Sequence, residues 1–78
     1  MQLAGALTFA NVHEVWEASA ATAVGATAID VSGVTQVDSA GLALISALKR
    51  KAGTHCRVIG LTPKLATLAS AYDVDALF

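Results

Sequence analysis

Residues 27–48 read TAIDVSGVTQVDSAGLALISAL, and the change of pattern within them decides the fold. Thr27 to Val31 reads as a short buried strand, and Ser32-Gly33 punctuates it. From Leu42 the period changes. Leu42, Ile45 and Leu48 recur at i, i+3 and i+6, joined by Leu44, while Ser46, Lys49 and Arg50 face away. This is an amphipathic helix. Lys49, Arg50 and Lys51 fall in its last turn, where cations complement the helix dipole, and Gly53 follows as the expected left-handed C-terminal cap. That structural role is preferred for the basic triplet over a binding patch.

On the N-terminal side, Leu3 to Thr8 (LAGALT) forms a strand weakened by Gly5. Asn11 is placed to cap a helix whose Val12, Val15, Trp16 and Ser19 share one face, with His13, Glu14 and Glu17 on the solvated one. Trp16 reads as core. The Ala-rich residues 20–26 carry the helix end and a loop around Gly25. On the C-terminal side, Arg57 to Leu61 is a third strand, and Thr62-Pro63 reads as N-cap and first helical residue. Leu65, Leu68, Ala69 and Tyr72 make that helix's buried stripe, and Leu77-Phe78 is expected to pack back on the domain. Strand and helix thus alternate three times over short connections. The pattern predicts one α/β domain with a mainly parallel sheet and crossover helices.

The composition excludes several functions. Seventy-eight residues, 55% hydrophobic and 14% charged, suit one small domain with a core and not a disordered tail. Every apolar run is interrupted before the ~18 residues a membrane helix needs, and the N-terminal stretch lacks the basic start of a signal peptide, which points to a cytoplasmic protein with no direct membrane insertion. A formal charge of −1 argues against nucleic acid as a partner. Cys56 stands alone in an apolar run and reads as a buried core thiol. His13 and His55 are far apart, and no Cys, His or carboxylate cluster has ligand spacing, so neither a metal nor another cofactor is expected.

Two polar features remain. Asp30 lies inside an apolar strand, where an unpaired carboxylate is costly. A place near the strand's C-terminal end, bonding the backbone of the following loop, resolves the conflict. Asp38 or Ser39 is the natural N-cap of the central helix, because a side-chain oxygen there satisfies an otherwise unpaired N–H. Capping does not explain why Ala40, Gly41 and Ala43 leave that helix start almost bare. An accessible helix N-terminus can meet an anion or another protein's surface.

The stretch AIDVSGVTQVDSAGLALI, residues 28–45, resembles the signature of STAS domains: a strand ending in Asp-hydrophobic-Ser, then an Asp-Ser or Asp-Thr pair and Gly-Leu at a helix start. The resemblance runs back through LAGALTFANVHEVWEA (3–18) and forward through RVIGLTPKLATLASAYDVDALF (57–78), so that one STAS-like domain spans residues 1–78. The Gly-Leu-Ala-Leu ending and the Leu-Ala…Tyr run are most similar to the small STAS subunit of Mla-type ABC transporters, which move phospholipid for outer-membrane lipid asymmetry. Family members usually carry an extra strand before the one at LAGALTF. The resemblance therefore implies a sheet shorter by one strand, or an open edge at Leu3 to Thr8 at which a homodimer could pair.

That resemblance implies a contact patch of Thr35, Gln36, Asp38, Ser39, Ala40 and Gly41, with Thr62 nearby, gripping and supporting the transporter's ATPase subunit beside its permease. It places the protein in the cytoplasm, peripheral at the inner membrane through that partner. In the sigma-regulatory branch the Ser after the Asp is phosphorylated by an anti-sigma kinase. Carried over, that residue is Ser39, and the alternative reading is an anti-sigma-factor antagonist switched by its phosphorylation. An enzyme with Ser39 as nucleophile needs a base within hydrogen-bond reach, which adjacent Asp38 and distant His13 and His55 do not supply.

Overall fold

The computed structural model describes residues 1–73. Its elements are β1 (Gln2–Leu7), α1 (Val12–Ala23), β2 (Ala28–Val37), α2 (Ser39–Ala52), β3 (Arg57–Ile59) and α3 (Pro63–Ala71). The strands form one parallel sheet in the order β1-β2-β3. Each crossover moves one strand in the same direction, so the right-handed rule puts α1 and α2 on the same face. They pack on each other there, and α3 joins beside α2. The α/β architecture expected from the alternation is present.

The core lies between the sheet and these helices. Leu3, Leu7, Ile29, Val31 and Val34 come from the strands, and Leu42, Leu44, Ile45 and Leu48 from α2. Leu65 and Ala69 of α3, Ala23 of α1 and the free thiol of Cys56 complete it, with Val12, Val15 and Trp16 half-buried against it. The apolar positions read for α2 are thus its buried face. Tyr72 is not part of the α3 stripe: it stands at the helix C-cap, 55% exposed, because the helix ends one residue before it. The expected packing of Leu77-Phe78 lies outside the described residues.

Strand β2 does not stop at Ser32-Gly33 but continues to Val37. The expected break is instead a shift of register: Gln2 pairs with Asp30 but Ala4 with Gly33, and a second shift falls between Gly5 and Ala6. Strand β3 leaves β2 at the Asp30–Ile59 pair. The Ser32 N–H just beyond is taken by the Asp30 carboxylate at 2.9 Å. Asp30 therefore bonds backbone two residues on, as expected, but from mid-strand rather than from a strand end. Ser32's N–H and hydroxyl, followed by the Gln2 side chain, hold its carboxyl below the usual aspartate range. Gly60 ends β3 short of Leu61, with φ +75 and a Cβ position that would meet the Asp30 carboxylate at 2.6 Å.

Two helix ends differ in detail from the sequence reading. Asn11 occupies the N-cap position of α1 but its side chain does not cap the helix. It accepts from Thr8 N at 2.9 Å and donates to the Ala6 carbonyl at 2.7 Å, bracing the turn that leaves β1. Gly53 closes α2 with its N–H on Lys49 O, yet at φ 115 and ψ −174 it is in a glycine-only extended region and not the left-handed helical one. Among the described residues the outer edge of β1 is unpaired, and the φ +77 of Gly5 interrupts it.

Candidate functional site at the start of helix α2

Where β2 ends, the chain turns directly into α2 through Asp38. Asp38 is extended (φ −122, ψ −171), and its Oδ1 accepts from Gly41 N at 3.0 Å, so it is the N-cap and Ser39 the first helical residue. Its other oxygen, Oδ2, accepts from Phe9 N at 3.0 Å. Its own N–H donates to Leu7 O at 3.3 Å. One side chain thus fastens the helix start to the loop between β1 and α1. The Phe9 N–H, and then that of Gly41, hold the Asp38 carboxyl below the ordinary aspartate value.

Gly41 explains the bareness of this helix start from the inside. It is buried, and a Cβ there would run into the Leu7 carbonyl, with Leu7 C at 2.8 Å and Leu7 Cβ at 2.9 Å. Only a glycine lets the first turn of α2 settle against the end of β1. Asp38 and Gly41 therefore have structural work that accounts for both.

The other residues singled out by sequence divide clearly. Ser39, Thr35 and Gln36 are exposed and Ala40 is half-buried. Thr35 and Gln36 lie on the last part of β2, where Gln36 pairs with Ala6, and lead straight into Asp38 and Ser39. Thr62 caps α3, its hydroxyl accepting from Leu65 N at 3.2 Å. At the other end of α3, Tyr72 shares a shallow cleft with Ser39, Leu42, Ala43 and Ser46. Phe9, 81% exposed, is held at the same helix start by its bond to Asp38. The sequence marks neither aromatic as part of the site. Phe9 had no pattern to mark it, and Tyr72 fell in register with a buried stripe.

Both histidines stand on other parts of the described chain. His13 faces Glu17 at 3.6 Å on the exposed side of α1. His55 follows the far end of α2, a helix whose 14 residues span roughly 20 Å at a rise of ~1.5 Å per residue. Among the described residues no group of His, Cys, Asp and Glu could hold a metal ion, and no helix is long and apolar enough to cross a membrane.

Comparison with known proteins decides the family. The family model described as "Mlab, STAS domain" matches residues 1–78. The chain belongs to the STAS domain family. It is 34% identical over 79 aligned positions to the intermembrane phospholipid transport system binding protein MlaB of Escherichia coli strain K12, covering 97% of this chain and 81% of the relative. The MlaB of Shigella flexneri matches to the same extent. This STAS domain is therefore similar to binding proteins of an intermembrane phospholipid transport system.

Proposed function

We propose that this STAS protein is a non-enzymatic cytoplasmic subunit that binds and supports the ATPase of an Mla-type ABC transporter, and so serves phospholipid trafficking and outer-membrane lipid asymmetry. It sits at the inner membrane through that partner. The observation that carries the reading is the exposed Ser39 on a helix start fixed by Asp38 and Gly41 and flanked by Phe9 and Tyr72. A rigid, small-residue seat with exposed aromatics beside it is what a protein partner needs, since aromatic anchors dominate interface energetics. The similarity to MlaB proteins supports the choice of transport system. Thr35, Gln36, Ser39 and Ala40 supply the contact, while Asp38 and Gly41 hold it in place.

Affinity purification of the tagged protein from its own cells, with bound proteins identified by mass spectrometry, tests the reading. An ABC ATPase with its permease is the expected companion. A small kinase in their place would overturn it and make Ser39 a phosphorylation switch.

A further inference from the structure

The stripe of α2 that begins at Ser39 runs on along the helix. Two clefts lie along it end to end: one lined by Ser39, Leu42, Ala43, Ser46 and Tyr72, the other, of about 310 Å³, by Ser46, Lys49, Arg50, Gly53 and Thr54. Ser46 belongs to both, so they form one groove along the helix. At ~1.5 Å per residue, roughly 16 Å of axis separates Ser39 from Arg50. The groove changes character over that length. Ser39, Leu42, Ala43 and Tyr72 line one end, and two cations line the other.

Helix polarity accounts for basic residues in the last turn of α2, but not for which of them meet the groove. Lys49 and Arg50 line it, and Lys51 of the same turn does not. No carboxylate neutralises either cation among the described residues, where the one acid–base contact is His13 with Glu17 on α1. We propose that the groove seats a segment of the docked partner protein that sets Asp or Glu side chains against Lys49 and Arg50, extending and orienting the contact begun at Ser39. This rests on the docking reading above. Adjacency favours a protein segment over a small anion: the cationic cleft and the Ser39–Tyr72 cleft meet at Ser46, and a lone phosphate would occupy only the former.

The test measures affinity of the purified partner ATPase for the wild-type chain, Arg50→Glu, Lys51→Glu, Lys49→Glu/Arg50→Glu and Ser39→Arg, at low and high salt. Charges at an interface rim act mainly through rate and salt dependence, so the double reversal should weaken low-salt binding by roughly tenfold and flatten the salt dependence. Lys51→Glu makes the same change in net charge and helix-end charge as Arg50→Glu, and should bind within about twofold of wild type, the scatter expected of a surface substitution. Double-variant affinity equal to wild type, or equal losses for Arg50→Glu and Lys51→Glu, would overturn the groove. If Ser39→Arg abolishes binding while the reversals do not, only this inference falls; if the wild type itself fails to bind, the docking reading falls with it. Phosphatidylglycerol vesicles that bind in a Lys49- and Arg50-dependent manner, with ATPase affinity unchanged, would assign the cations to lipid and also overturn it.

Discussion

The carboxylate of Asp38 reaches across 29 positions of sequence to accept the Phe9 backbone N–H at 3.0 Å. Its second oxygen caps α2 through Gly41 N. The acidic half of the Asp-Ser pair is therefore a clasp between the loop after β1 and the helix after β2, and the Ser is what the clasp presents. Both bonds favour the charged carboxylate, which is why its pKa is lowered from the ordinary 3.8. For a carboxyl whose folded pKa is depressed, the stabilisation is fully present above the unfolded value and is lost as pH falls through the folded one. Thermal melts from neutral to acidic pH should show this contribution disappearing below pH ~4, and Asp38→Asn, which cannot ionise, should show a smaller acid-side loss. Equal acid-side losses in both proteins would contradict the clasp.

Gly41→Ala should destabilise the domain heavily. The added methyl meets backbone and not a flexible side-chain end, so the cost belongs at or above the ~3 kcal/mol upper range of overpacking. Urea titration followed by circular dichroism measures it. A loss under about 1 kcal/mol would mean that the α2 start shifts freely off Leu7.

Thr62→Ala should cost about 1 kcal/mol of stability through loss of the α3 cap, with partner affinity unchanged. The resemblance alone placed Thr62 near the contact patch. A variant with weakened binding and an unchanged melt would make Thr62 part of that contact.

Phe9→Ala and Tyr72→Ala should each weaken ATPase binding with little change in stability, since both side chains are largely exposed. Titration calorimetry should show at least one loss of ~2 kcal/mol or more, the size typical of an aromatic hot spot. Full affinity in both would leave the aromatics outside the interface.

Element order, sheet type and the buried face of α2 were legible because periodicity and punctuation report backbone pattern directly. The stretch 28–45 carried the family by its resemblance to the STAS signature. What was not legible depended on neighbours distant in sequence. Ser32-Gly33 reads as a break because small polar residues usually end strands, but β1 shifts register beside it and Asp30 takes the freed N–H. Gly41 reads as part of a bare surface, and only the proximity of Leu7 makes it an internal necessity. Phe9 joins the site through a single long-range bond. Tyr72 has the right spacing for the core and misses it because α3 ends at Ala71.

The central claim is that Ser39 marks the surface a partner ATPase grips. Its most direct test is the affinity of purified ATPase for Ser39→Arg, measured beside the variant's thermal melt. Because Ser39 is exposed on a helix start built by other residues, the melt should match wild type while binding falls below detection. Wild-type affinity in a folded Ser39→Arg protein would contradict the account.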